Sequence, residues 1–130
     1  MSNNWTPLLV EVGLGVEQHG QDPTKAAIKA IRDAIQRVCI PYLVEKQLLK
    51  SGRIKLEISI GVPYHDRVDI ERIKKEIPLE GDAVFKIVEG GLKTKCAKVP
   101  ELGDKSDEMF VAVASITLYI KENTDVIGHG

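Results

Sequence analysis

Alternation of apolar and polar residues predicts the strands of this chain. In "RIKLEISIGV" every second residue from Ile54 to Val62 is apolar, which is typical of a strand with one buried face. The segment 109–120 alternates in the same way, although Val111 and Val113 make its second face partly apolar as well. Shorter apolar runs at 8–13 and 83–88 predict two further strands.

A period of three to four residues predicts the helices. Asp22 can cap a helix that begins at Pro23 and runs to about Cys39, with an apolar stripe formed by Ile28, Ile31, Ile35 and Val38. Asp69 can cap a second helix over 69–77, which ends before Pro78. A short helical piece is also predicted between Pro41 and Ser51.

The order β-α-β-α-β-β predicts an α+β fold in a single domain over residues 1–130. We expect a mixed four-stranded sheet with the helices on one face. The other face would then carry Val111 and Val113 in water, which a small domain rarely tolerates. The pattern therefore favours a homo-oligomer, most simply a trimer.

Composition excludes several classes of function. The formal net charge is −1 and aromatic residues make up 5%, so we expect no nucleic-acid partner. No apolar run approaches the ~18 residues of a membrane span, and the N-terminus lacks the features of a signal peptide. The two cysteines, Cys39 and Cys96, form no CxxC pair, which favours reduced thiols and a cytoplasmic location.

The stretch "VGLGVEQHGQDPTKAA", from Val12 to Ala27, is the main candidate for chemistry and has three interpretations. A phosphate-binding loop is the first, but the third position of G-x-G-x-x-G is Gln18 and no Gly-Lys-Ser/Thr follows. A structural role is the second: Gly13, Gly15 and Gly20 would permit positive φ or close backbone approach.

A metal or acid–base site is the third interpretation. Glu17 and His19 are two residues apart, so in extended chain both side chains lie on the same face. A carboxylate and an imidazole suit a divalent metal, and His65 is the natural third ligand. In the competing interpretation His19 bonds a backbone carbonyl and Glu17 is solvated.

The segment 89–109 has little periodicity and is long for a structureless loop. It is either a surface hairpin extension with a Gly90-Gly91 hinge or a binding loop. In the second case Glu101 and Asp104 would close the site, and His19 would lie within hydrogen-bond or metal reach of Glu17 or of a loop acid such as Asp104.

The motif "GLGVEQHG" resembles the G-x-G-x-D-x-H-G hallmark of an uncharacterised conserved protein family found in bacteria and, with an N-terminal extension, in plants. "QDPTKAA", "GVP", "VEGGL" and "PELGD" resemble the same family, so the resemblance covers nearly the whole chain. The chain departs from the hallmark at Glu17, where the family has Asp. The resemblance implies relatives and no reaction.

A shorter likeness links the same motif to methylerythritol cyclodiphosphate synthase. In that enzyme an Asp and a His after the first strand bind a divalent metal, and the sheet assembles as a trimer. The likeness maps this pair onto Glu17 and His19, but the first helix lacks the enzyme's second histidine motif.

These features predict a homo-oligomer with a small-molecule or metal site around "GLGVEQHG". In the enzyme hypothesis His19 is a ligand or general base and Glu17 its partner. The glycines Gly13, Gly15 and Gly20 would line the pocket, with Glu101 and Asp104. The alternative is a non-catalytic binding or structural oligomer whose loop only seals a subunit interface.

Overall fold

The computed structural model describes residues 4–36, 54–77 and 82–121. In chain order these residues form seven helices and strands: β1 (Trp5–Glu17), α1 (Pro23–Gln36), β2 (Ile54–Val62), α2 (Ile70–Glu76), β3 (Asp82–Glu89), β4 (Leu92–Lys95) and β5 (Glu108–Lys121). Two short 3-10 turns, His65–Arg67 and Pro100–Leu102, follow β2 and precede β5.

The described strands form one mixed sheet in the order β1-β5-β2-β3. β5 is antiparallel to both β1 and β2, and β2 is parallel to β3. β4 pairs with the first residues of β5. The last of the described strands, β5, therefore lies between β1 and β2 and splits the unit β1-α1-β2. The predicted α+β class is confirmed.

One face of this sheet forms the core with the helices. Every second residue of β2 from Ile54 to Val62 is buried, as the alternation predicts. β5 contributes a second buried row, namely Phe110, Ala112, Ala114, Ile116 and Leu118. Burial of each large apolar side chain contributes about 1.5–3 kcal/mol to folding. The helices contribute Ile28 and Ile31 of α1 and Ile73 of α2 to the same cluster.

Two glycines of β1 set the distance between the sheet and α1. Gly13 and Gly15 lie inside the strand, on the face covered by the helix. A Cβ atom at either position would come well within 3.0 Å of helix backbone, at Ala30 and Ala34 for Gly13 and at Ala26 for Gly15. The helix can pack this closely only because these positions have no side chain, which supports the structural interpretation of these glycines.

Four expectations about local structure need correction or fall outside the described residues. β1 extends to Glu17 rather than ending at residue 13, because Gly13 and Gly15 continue the strand against α1. The described sheet has five strands rather than four, since "LKTK" of β4 has no apolar alternation that reveals a strand. The predicted end of α1 near Cys39 and the helical piece after Pro41 lie outside the described residues.

The second face of the sheet exposes a row of apolar side chains. Val10, Val12, Leu14 and Val16 project from β1 and are between 39% and 58% exposed. Beside them on β5, Val111 pairs with Val16 and Val113 pairs with Leu14. In the described part of the chain no helix is both long and apolar enough to cross a membrane.

Candidate functional site around the Gly20 turn

A buried carboxylate, Asp104, organises the turn that follows β1. Gly103, with φ 88°, ends the Pro100–Leu102 turn and presents Asp104, whose side chain is only 1% exposed. Backbone N–H groups donate to both of its oxygens, from Val99 at 2.7 Å and from Gly20 at 2.8 Å. The carboxylate therefore joins the 99–104 loop to the end of β1.

His19 completes the environment of this carboxylate. Its Nδ1 lies 2.8 Å from Asp104 Oδ2, and its side chain is 29% exposed. The bond from the Val99 N–H holds the pKa of Asp104 well below its usual value despite the opposing effect of burial; His19 and Gly20 act in the same direction. Because an ionised carboxylate only accepts hydrogen bonds, Nδ1 carries the proton and Nε2 is the basic nitrogen of neutral His19.

Gln21 fixes the same loop from the other side. Its Nε2 donates to the Glu108 carbonyl oxygen at 2.8 Å and to Asp104 at 3.2 Å. Its Oε1 accepts from the N–H groups of Lys105 at 2.7 Å and Ser106 at 3.3 Å. Gln21 has φ 47° and follows Gly20 with φ 90°, so two consecutive left-handed residues direct this amide at the loop. Gln21 is not among the predicted site residues, because an isolated amide before a helix cap carries no recognisable sequence pattern.

Glu17 is the last residue of β1 and lies on the buried face of the sheet. It is only 4% exposed, and its Oε1 accepts from Lys29 Nζ at 3.1 Å. Lys25 Nζ lies 4.0 Å from Oε2, and Lys29 also donates to the Val16 carbonyl oxygen at 3.0 Å. The carboxylate is thus paired with lysines of α1 rather than with His19.

His65 does not join Glu17 and His19. It follows β2, which β5 separates from β1, and its Nδ1 lies 2.8 Å from Glu89 Oε1. This His65 bond, with the N–H groups of His65 and Tyr64, lowers the pKa of Glu89 to about 2. The sheet order therefore separates His65 from Glu17 and His19, and the described residues contain no cluster of three potential ligands.

The loop acids divide into one that contacts His19 and one that does not. The contact between His19 and Asp104 is the one expected from sequence, whereas its catalytic or binding role stays a prediction. Glu101 is exposed in the Pro100–Leu102 turn and has no hydrogen bond or ion pair among the described residues. Gly20 is part of the site through its N–H, while Gly13 and Gly15 are covered by α1.

Two pockets flank the Asp104 cluster. The first, which we call the Glu17 pocket, has a volume of about 400 Å³ and is lined by Val16, Glu17, Gln18, His19, Lys25, Lys29 and Leu102. The second, the Tyr64 pocket, has a volume of about 490 Å³ and is lined by Gly20, Gln21, Asp22, Pro23, Tyr64, Arg67, Lys105, Ser106, Glu108 and Phe110. Both volumes lie in the range of small-molecule sites, about 300–1,000 Å³.

The fold is an α+β domain in which β5 lies between β1 and β2. A histidine–carboxylate pair, His19 and Asp104, lies at the turn between the end of β1 and the start of α1. The chain belongs to the family described as conserved hypothetical protein (Lin0512_fam), whose model matches residues 7–118. The predicted membership of an uncharacterised conserved family is thereby confirmed, and the likeness to methylerythritol cyclodiphosphate synthase stays a prediction.

A solved structure supports the same fold. The chain is 34% identical to an FtsZ-like protein of unknown function from Nostoc punctiforme PCC 73102, whose crystal structure was determined at 1.22 Å. The match has a TM-score of 0.75 and covers 91% of this chain and 98% of the other. Comparison with curated proteins finds no match.

Proposed function

We propose that the Glu17 pocket binds a small anionic molecule and that His19 transfers a proton to or from it. The pairing of His19 Nδ1 with Asp104 carries this proposal. A carboxylate on Nδ1 fixes the tautomer and orientation of an imidazole and stabilises its protonated form, which is how general bases are commonly supported. The basic Nε2 is then the nitrogen that can exchange a proton with a bound molecule.

The charges of the pocket favour an anionic ligand. Lys25 and Lys29 contribute two positive charges, and Glu17 contributes one negative charge. The lysine side chains are 54% and 42% exposed, so a ligand can reach their ammonium groups without unfolding the helix. A phosphate or carboxylate would therefore meet a net positive pocket beside His19.

The same residues fit a divalent metal poorly. The Glu17 carboxylate has the ammonium of Lys29 3.1 Å away, and a metal bound there would be repelled by that charge. His19 would approach as a single neutral ligand, with Asp104 already engaged by two backbone N–H groups. The Glu17 pocket therefore favours an anion over a divalent metal.

Substitution of Glu17 separates an anion site from a cation site by the sign of its effect. We expect Glu17→Gln to strengthen the binding of inorganic phosphate, because it removes the negative charge, and Lys29→Gln to weaken it. The measurement is an amide NMR titration of the folded protein with phosphate. Lys74→Gln is the control, since Lys74 is exposed on α2 and lines neither the Glu17 pocket nor the Tyr64 pocket. Weaker phosphate binding by Glu17→Gln with tighter Mn²⁺ or Zn²⁺ binding by wild type would contradict the proposal.

Conversion of a bound compound distinguishes the enzyme hypothesis from the hypothesis of a non-catalytic binding protein. A panel of small phosphate esters and carboxylates is incubated with wild type and with His19→Gln, and each mixture is followed by NMR. Conversion of a bound compound by wild type alone would support proton transfer by His19. Binding by wild type without conversion of any bound compound would support the binding protein instead.

A cytoplasmic setting belongs to the same proposal, which is in keeping with the free thiol of Cys96.

We also propose that the chain self-associates through the exposed face of β1 and β5. The outer edge of β1 is covered locally, because Asp33 accepts from the Leu14 N–H and Lys29 donates to the Val16 carbonyl oxygen. Strand addition there is disfavoured, which leaves the apolar face for contact. On the same face Lys55 and Glu57 of β2 carry opposite charges two residues apart, so a second copy can place each against its opposite.

A charge at the centre of the apolar row should dissociate the oligomer. We expect Val12→Glu to shift the mass measured by light scattering to that of the 14.3 kDa chain, while wild type is larger and most simply a trimer. Val84→Glu is the matched control, because Val84 is 52% exposed on β3 on the same face but away from β1. A monomeric wild type at micromolar concentration would contradict this proposal.

A further inference from the structure

We propose that the Tyr64 pocket is a second binding site, for a small molecule that carries a single anionic group. The pocket shares no lining residue with the Glu17 pocket, and Gly20 and Gln21 form part of its wall. Its walls come from the Gly20 turn, the start of α1, the turn after β2 and the first residues of β5. Binding in this pocket does not require the proton transfer proposed for His19.

Two cations line this pocket without an acidic partner. Neither Arg67 nor Lys105 has a carboxylate within ion-pair distance in the part of the chain that the structure describes. Arg72, by contrast, is neutralised by Asp22 at 2.7 Å and Glu76 at 3.0 Å. Arg67 and Lys105 can therefore direct their charge at a ligand, and a guanidinium binds a planar carboxylate or a phosphate through paired hydrogen bonds.

An aromatic side chain fixes the geometry of the pocket. The Arg67 guanidinium lies 4.4 Å from the centroid of the Tyr64 ring, and that ring packs at 5.4 Å against buried Phe110. Tyr64 has φ 56°, a strained conformation for a non-glycine residue, and Glu89 holds it by accepting the N–H groups of Tyr64 and His65. Arg67 is thus positioned before any ligand arrives.

The acids of the pocket do not cancel this charge. Asp22 is paired with Arg72, and Glu108 accepts the Tyr64 hydroxyl at 3.1 Å. Ser106 Oγ accepts from the Glu108 N–H at 3.2 Å, so its own hydroxyl proton remains available to a ligand. In the described part of the chain Arg67 and Lys105 thus face one carboxylate, that of Glu108, which has no ion pair, so the pocket keeps a net positive charge for one anionic group.

The pocket shares a residue with the cluster at His19. Gln21 lines the pocket and donates to Asp104, which in turn contacts His19. A ligand held by Lys105 and Ser106 would stabilise the loop that these bonds fix. Binding here should therefore be felt at His19 without the ligand touching it.

Amide NMR titrations with acetate and, separately, inorganic phosphate test the proposal. We expect shifts at Tyr64, Arg67 and Ser106, and their loss in the double variant Arg67→Gln/Lys105→Gln. Lys93→Gln is the matched control, since Lys93 lies 4.7 Å from the same ring but does not line the pocket.

The two ligand sources and the two pockets give separate outcomes. Shifts with acetate alone assign the site to carboxylates, and shifts with phosphate alone assign it to phosphate groups. Shifts confined to Lys25, Lys29 and His19 would overturn this site while leaving the proposed function intact. Wild type that shows no shift at Tyr64 or Ser106 with either anion, or a double variant that responds like wild type, would also overturn it.

Discussion

Gly15→Ala should cost the protein much of its stability. The new Cβ would meet the backbone of α1 at Ala26 and Ala30, closer than real Cβ atoms come to other heavy atoms. The helix must then move away from β1, which opens the core along its length. We expect a loss at or above the upper end of the ~1–3 kcal/mol typical of overpacking, since backbone rather than a flexible side chain is in the way. In thermal unfolding this corresponds to a Tm lower by about 10 °C or more.

Gly61→Ala is the matched control for this prediction. Gly61 is also a strand glycine, but its nearest neighbours would lie 3.4–3.5 Å from a new Cβ, which is ordinary contact. We expect a much smaller change in Tm. If Gly15→Ala unfolds at the same temperature as wild type and instead abolishes phosphate binding, the glycines serve a ligand and the packing argument is wrong.

The bounds of an element could be predicted from sequence where one of its faces is wholly buried and the other is not. The alternation from Ile54 to Val62 predicts both ends of β2 correctly, since every second residue of this strand is buried. β4 could not be predicted, because its four residues are all exposed and the pairing with β5 alone defines it. The sheet order could not be predicted either, as nothing local places β5 between β1 and β2.

The site was only partly predictable for the same reason. The sequence predicts that His19 meets either Glu17 or a loop acid such as Asp104, and the contact in the structure is with Asp104. The spacing of Glu17 and His19 predicts that both side chains share one face, whereas the strand places Glu17 on the helix side, where its carboxylate accepts a hydrogen bond from Lys29. The separation of His65 follows from the sheet order, which the sequence pattern does not reveal.

Asp104→Asn should lower stability at neutral pH and change how stability responds to acid. Asn keeps one acceptor oxygen, but its NH₂ group must face donors in either orientation: the Val99 N–H and His19 Nδ1 at the Oδ2 position, or the Gly20 N–H and the Gln21 amide at the Oδ1 position. A buried donor is then left without an acceptor, which is costly. We expect a clear fall in Tm at pH 7, together with increased amide exchange at Val99 and Gly20. Asp107→Asn, an exposed position in the same loop, is the control and should leave both unchanged.

The sign of the pH effect follows from the lowered pKa of Asp104. Its pKa in the folded state lies below the unfolded value of about 3.9, so its contribution is complete above that value and is lost as the pH falls toward the folded pKa. Wild type should therefore lose stability steeply below about pH 4, and Asp104→Asn should lose less over the same range. Some acid dependence must remain in the variant, because Glu89 has its pKa lowered to about 2 and acts in the same direction. Equal acid slopes for wild type and Asp104→Asn in urea unfolding between pH 2 and pH 7 would show that the carboxylate is not held in its charged form by the loop.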